Sequence, residues 1–287
     1  MTPPPRDGSR DRRIEDPSNL YLIHPASHAL LPLALARGIS ANSVSVIGLG
    51  CGVVAAIAYA NWQAHPALAL VGLVFSVAWL VADGLDGMIA RATKTASALG
   101  RALDGLCDHG VFALIYISLA ASISTLEAWV LTILAGIAHA VQSSLYEGER
   151  ARFHRRVRGQ ALVVPPQPSG PWLVKLYDSV AGSLDRVAIP FERRLAASAD
   201  PLETGRLYAE RAVPVMRFQY LLTANMRVWM ICLSCLIGNP RLFWWFEILP
   251  LTAVAAIGIS RHRAVERSFV HADARTSIFF SSEQGHS

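Results

Sequence analysis

The sequence predicts an all-α, polytopic membrane protein: six transmembrane helices, an N-terminal interfacial helix, and a cytoplasmic helical segment between helices four and five. Three observations carry this. Of 287 residues, 53% are hydrophobic and only 16% charged, with a positive mean hydropathy of +0.36, which excludes a disordered chain and is unusual for a soluble one. The ionisable residues are absent from long stretches. The Lys and Arg residues that remain are crowded into a few connections. Four cysteines in a chain of this length exclude a disulfide-stapled secreted domain, and a net charge of +5 without a patterned patch gives no reason to expect nucleic acid.

Residues 1–17 mix Pro, Arg and Asp without an apolar core and read as a disordered cytoplasmic arm, not a signal peptide. Residues 18–38 are apolar but interrupted by Pro25 and Pro32, which suits a helix lying in the interface. Residues 39–147 hold spans one to four. Residues 41–61 have no charge and, at ~1.5 Å per residue, cross a ~30 Å hydrocarbon layer. The stretches 62–82, 102–126 (broken by Asp104 and Asp108) and 128–146 follow. Residues 148–217 begin with a basic run, pass through a Pro-rich loop from Val164, and then place Trp172, Leu176, Val180 and Leu184 at helical spacing, as in an amphipathic surface helix. Asp200 before Pro201 reads as an N-cap opening a further helix that runs into span five with a bend at Pro214. Residues 218–260 hold spans five and six, at 218–237 with Arg227 and 242–260 with Glu247, and residues 261–287 are read as a tail.

Orientation follows from the basic residues, which concentrate on the cytoplasmic side. Of the 26, only Arg241 falls in a connection assigned to the outside, so both termini are expected in the cytoplasm.

The chemistry is expected in residues 81–110. Asp83 and Asp86 are three apart on one apolar helix, and Asp104 and Asp108 four apart on the next, so each pair projects from one face. Intramembrane carboxylates are costly enough to mark function. Packed as an antiparallel hairpin across 92–99, the helices bring four carboxylates together, and these need protons or cations to share a low-dielectric site. Hard divalent ions with oxygen ligands, Mg²⁺ or Mn²⁺, supply that counter-charge. Gly84, Gly87, Gly100 and Gly105 leave room for close approach, and Arg91 aims a fixed positive fork at a phosphate. By helical rise, Asp83 and Asp86 lie about 26 to 30 Å from His65, and Asp108 about 12 to 15 Å into its helix, which puts the site just inside the cytoplasmic face. An Asp-lined ion transporter is the alternative of another class. Against it stand the absence of repeated halves and the cytoplasmic depth of the carboxylates.

At Asp83, Asp86, Gly87, Ala90, Arg91, then eight residues, Gly100, Asp104 and Asp108, the chain resembles the CDP-alcohol phosphatidyltransferase family, whose signature has this order and spacing. The resemblance implies two divalent ions held by the four aspartates, with Asp108 as general base. It implies donor contacts at Gly87, Ala90, Arg91, Thr93 and Gly100, and a homodimer. The implied reaction moves a substituted phosphate from a CDP-alcohol, with CDP-diacylglycerol the expected donor, to an alcohol, with release of CMP. A CDP-choline-type transfer to a lipid alcohol is the runner-up. Where such proteins often have Thr-Pro-Asn, this chain has Ser40, Ala41 and Asn42, so Ser40 is read as a helix cap in preference to a nucleotide contact by Asn42.

For the acceptor, His139, Gln142, Tyr146 and Arg150 recur at three- to four-residue spacing along span four. They line an acceptor pocket or hydrogen-bond between helices. Arg227 holds an anionic group or pairs with Glu247. The run 148–159 is read as a positive-inside loop ahead of a phosphate site, and Cys232 and Cys235 as apolar filler. The polar stripe favours a polyol or polyol phosphate as acceptor.

Overall fold

The structure is a computed structural model that describes residues 11–95, 98–164 and 185–283, with side chains described outside 98–106 and 271–283. Among the described residues every regular element is helical. The expected amphipathic helix around Trp172, Leu176, Val180 and Leu184 lies outside the described residues. The chain divides into two compact units: one of Glu15–His139 with Thr223–Pro250, the other of residues 11–14, Ala140–Leu222 and the chain from Leu251.

In the first unit a π-turn at Asn19–Ile23 leads into α1 (His24–Ala36). Pro32 lies inside α1, which runs through it. Gly38, at φ +63°, ends the helix, and the Ile39 N–H returns to the Ala34 carbonyl at 2.9 Å. Helix α2 (Ala41–Ala60) starts at Ser40, whose hydroxyl accepts the Ser43 N–H at 3.1 Å, as the cap reading requires. Helix α3 (Pro66–Ala92) starts at His65, whose Nδ1 accepts the Ala67 N–H at 3.1 Å, with Pro66 in the first turn where a missing N–H costs nothing. It ends where Lys94 takes φ +56° and the Thr95 N–H bonds the Ala90 carbonyl at 3.0 Å. Helices α4 (Ala98–Ile123) and α5 (Leu126–Val157) follow, the latter opened by Thr125, whose hydroxyl accepts the Ala128 N–H at 3.2 Å.

The bundle is packed by small residues. The buried face of α2 is Val44, Gly48, Gly52, Ala55, Ala56, Ala58 and Tyr59, while Val46, Ile47 and Ile57 are exposed. A protein in water would reverse this. Large residues outside and small ones between helices suit a lipid surround, where close backbone approach drives association. A Cβ on Gly72 would sit 2.6–2.9 Å from the Tyr59 ring, and one on Gly48 would sit 3.1 Å from the Ala82 Cβ.

The other unit contains α6 (Asp185–Ala196) and α7 (Pro201–Gln219). Asp200 caps α7 by accepting the Glu203 N–H at 3.0 Å, as expected. The basic run 148–159 departs from expectation, because through Val157 it is the last turns of α5 and not a loop. Ile14 also departs from the arm reading: it is 1% exposed and packs in a cluster with Phe153, Phe191 and Tyr208. An isoleucine among charged neighbours is enough to anchor a segment once aromatic rings receive it.

The late spans need a second correction. Helix α7 does not run into span five: a 3₁₀ turn at Tyr220–Leu222 and an extended Thr223 separate it from α8 (Ala224–Leu236). Thr223 occupies the N-cap position, so a new helix begins there. Helix α8 has 13 residues, about 20 Å, against the ~30 Å of a bilayer core. Helix α9 (Arg241–Phe246), a π-turn at Glu247–Leu251 and α10 (Thr252–Glu283) then follow without a break, so the expected tail from residue 261 continues as helix. The widened turn accommodates Pro250, which has no N–H to give. Four stretches are long and apolar enough to cross a membrane: Ala41–Ala60, Pro66–Ala92, Leu126–Val157 and Arg241–Val270. Cys107–Ile123 and Ala224–Leu236 are shorter apolar helices.

Close packing at Gly72 gives a test. Gly72→Leu should lower the thermal unfolding midpoint in detergent by several degrees, since overpacking costs about 1–3 kcal/mol. Gly50→Leu should leave it nearly unchanged, because nothing lies within 4 Å of that position.

Candidate active site

The last three turns of α3 carry Asp83, half-buried, and Asp86, which is 5% exposed. The Ser45 hydroxyl on α2 donates to Asp86 Oδ2 at 2.5 Å. Gly87 accommodates the arm of Arg91: a Cβ there would stand 3.3 Å from Arg91 Nη1. Gly84 admits Ser27 of α1, whose hydroxyl donates to the Val81 carbonyl at 2.8 Å. Ala90 is half-buried, while Arg91 and Thr93 are exposed. The Thr93 hydroxyl donates back to the Ile89 carbonyl at 2.8 Å, a local bond that finishes the helix.

On α4, Asp108 is half-buried. Gly100 and Asp104 lie outside the residues whose side chains are described. The register of α3 against α4 is fixed by Trp79, whose ring meets Phe112 edge-on with centroids 5.2 Å apart. Asp83 is one turn beyond Trp79 toward the connection, and Asp108 is one turn from Phe112 toward the same connection. An antiparallel pair in this register brings the two carboxylates to the same level. Helix α2 is the wall common to both, because Gly48 packs against Ala82 and Gly52 against Val111. Among the described residues no three His, Cys, Asp or Glu side chains form a group able to hold a metal. The donor chemistry of Asp83, Asp86 and Asp108 is oxygen-only carboxylate, which fits a hard divalent ion.

A second polar cluster lies in the same unit. Arg227 Nε donates to both oxygens of Glu247, at 3.0 and 3.1 Å, and both side chains are fully buried. Of the two readings of Arg227, the pair with Glu247 is the one observed. Tyr116 donates its hydroxyl to Glu247 Oε2 at 3.2 Å, and His139 Nδ1 lies 3.8 Å from Oε1. The His139 ring packs on Phe112 at 4.4 Å and meets His109 edge-on at 6.1 Å, so the cluster touches the helix that carries Asp108. Tyr116 and Ser45 were not singled out from the sequence. The available signal was Tyr116's place two turns beyond Asp108 on the same face.

In the other unit, Gln142 Nε2 donates to the Thr252 hydroxyl at 3.0 Å, an inter-helix bond. Tyr146 is buried, and Arg150 Nη1 lies 3.5 Å from Glu147 Oε1. The basic run is largely committed to carboxylates. Arg152 bonds Glu149 at 2.8 Å and Asp185 at 2.5 Å, and Arg156 bonds Glu192 at 2.8 Å and Glu266 at 2.5 Å. Glu149 also meets His262 and Arg263, and His262 Nε2 lies 2.6 Å from the Tyr208 hydroxyl. Burial pushes the Tyr208 phenol up to about 12 against the opposing pull of Arg156, so it stays protonated in this network.

Because half of a buried pair is worse than none, Glu247→Leu should destabilise the protein by about 3–5 kcal/mol through the stranded Arg227. The double variant Glu247→Leu with Arg227→Met should recover much of that loss. Thermal unfolding in detergent, compared across the two single variants and the double, measures it.

The model of a protein family described as CDP-alcohol phosphatidyltransferase matches residues 39–154. The match takes in α2, α3, α4 and most of α5, and with them Ser45, the four aspartates, Gly87, Ala90, Arg91 and Gly100. No curated protein matches the chain. The segment that carries the aspartate hairpin is therefore similar to the CDP-alcohol phosphatidyltransferase family over residues 39–154.

Proposed function

We propose that the protein transfers the substituted phosphate of a CDP-alcohol, with CDP-diacylglycerol as donor, to a polyol or polyol phosphate, releasing CMP at the cytoplasmic face of a membrane. The observation that carries this is the unbroken register from Asp83 to Asp108 within the family-matched segment. Asp83, Asp86, Asp104 and Asp108 would hold two divalent ions, Mg²⁺ or Mn²⁺. When bound, these ions supply the positive charge that lets a diphosphate sit among carboxylates and stabilises the leaving group.

The chain's own residues do the rest. Gly87 and Ala90 leave space beside α3 for the donor, and Gly100 does the same at the start of α4. Arg91, exposed at the end of α3, offers its guanidinium to the diphosphate, and Thr93 stands beside it. Asp108 accepts the proton of the acceptor hydroxyl as that oxygen bonds to the β-phosphorus. The bond from that phosphorus to the bridging oxygen breaks, and CMP departs with the electron pair. The cytoplasmic placement of the site is supported by the crowding of Lys and Arg into the connections on that side. For the acceptor, the reading rests on the helical spacing of His139, Gln142, Tyr146 and Arg150. Arg227 would act through the Glu247 cluster.

Chelation with EDTA should abolish release of CMP from CDP-diacylglycerol, and added Mg²⁺ or Mn²⁺ should restore it; full turnover in EDTA would exclude the metal reading. Asp108→Asn should cost about 10²-fold or more in turnover with donor binding largely kept, which single-turnover kinetics and donor titration separate. His139→Ala or Gln142→Ala should raise the acceptor KM and leave the donor KM nearly unchanged. A screen across inositol, inositol phosphate, glycerol phosphate, serine and diacylglycerol identifies the acceptor. Activity confined to diacylglycerol with CDP-choline would replace the reading with the lipid-alcohol transfer.

A further inference from the structure

Of Asp83, Asp86 and Asp108, Asp86 is the buried one, at 5% exposure, and a carboxylate so enclosed needs donors of fixed geometry. The Ser45 hydroxyl reaches it from α2, forty-one residues away in sequence, at 2.5 Å. Ser45 Oγ also stands 3.2 Å from the Ala41 carbonyl, a weaker bond within its own helix, so its single proton goes to the nearer carboxylate oxygen.

The helix packing fixes this contact. One turn along α2 from Ser45, Gly48 lies against Ala82, and Ala82 is one turn along α3 from Asp86. The same α2 receives Val111 of α4 at Gly52, three residues from Asp108. The helix that carries Ser45 is therefore registered on both aspartate-bearing helices by glycines, and Ser45 is aimed at Asp86 by that register.

We propose that Ser45 is a positioning residue for the divalent-ion site: its hydroxyl fixes the rotamer of Asp86 so that the carboxylate is presented to the ion in one orientation. The assignment rests on the metal reading given under Proposed function. A hydroxyl is suited to this because it orients a carboxylate without cancelling its charge. Partners of this kind typically change metal affinity by about 10–100-fold when removed.

The test uses the full chain in detergent, stripped with EDTA and dialysed, with Mn²⁺ alone as the probe and free Mn²⁺ read by electron paramagnetic resonance. Ser45→Ala should weaken Mn²⁺ binding about tenfold or more, Ser45→Thr should restore it to within about threefold of the parent, and Asp86→Ala should remove the tight site. The metal-free unfolding midpoint, measured alongside, separates positioning from packing. A Ser45→Ala protein with a lower midpoint but parental Mn²⁺ affinity overturns the assignment, and so does parental affinity with an unchanged midpoint. A parent that binds no Mn²⁺ overturns the metal site itself and this assignment with it, whereas a parent whose tight site is lost in Asp86→Ala but kept in Ser45→Ala leaves the metal site standing and overturns only the role of Ser45.

Discussion

A charge held among apolar helices must be matched within hydrogen-bonding reach, and the architecture depends on how that requirement is met. Water is not available to solvate Arg227 or Glu247, so each is tolerable only because the other is there. The match has to come from another helix, since neighbours along one apolar helix offer nothing ionised. Each buried charge therefore dictates which helices stand side by side. Arg227 on α8 and Glu247 at the π-turn are tied in this way, and Tyr116 of α4 and His139 of α5 gather around the same carboxylate. Such contacts need backbones that come close, in keeping with α2, which buries Gly48, Gly52, Ala55, Ala56 and Ala58 and exposes Val46, Ile47 and Ile57.

The unit formed by residues 11–14, Ala140–Leu222 and the chain from Leu251 meets the same requirement with more charge. Glu149, Arg152, Arg156, Glu192, His262 and Glu266 are all nearly or fully buried, and their ion pairs join α5, α6 and α10. Helix α5 presents Glu149, Arg152 and Arg156 at three- and four-residue spacing on one face, so a run that is basic in sequence becomes an internal seam in the fold. Aromatic rings complete it: the Arg156 guanidinium lies 4.7 Å from the centre of the Phe191 ring.

What could be read from the sequence follows from which signals are local. Long charge-free stretches marked α2, α3 and α5 because burial in lipid excludes charge residue by residue. The caps at Ser40 and Asp200 were legible because a cap acts within three residues. That Asp83 and Asp86 share one helix was legible because helical periodicity is local, while Asp104 lies outside the residues whose side chains are described. Partnerships were not. Tyr116 and Glu247 are 131 residues apart, and Arg156 and Glu266 are 110 apart, and nothing in the intervening sequence encodes the pairing. The basic run was misread for the same reason, since Arg density near a membrane normally means a solvated loop and only the distant carboxylates make it a core. Thr223 hid the boundary between α7 and α8, because a threonine in an apolar stretch is compatible with continuing a helix or starting one.

The two ways this chain holds buried carboxylates differ in what they leave behind. Glu247 and Glu149 are met by arginines, and a guanidinium both orients a carboxylate and cancels its charge. The field around such a pair is closed, which suits a structural tie. Asp86 is met from α2 by the Ser45 hydroxyl, a neutral donor that orients the carboxylate oxygen it reaches. Under the function proposed above, a divalent cation would be the further partner of that carboxylate. Glycines around Asp86, and an exposed Arg91 at the end of the same helix, are what a charged substrate arriving with such a cation would need. The physics that makes arginine pairs good braces for the bundle is thus distinct from that of a hydroxyl-oriented aspartate, which in the proposed function serves as a ligand.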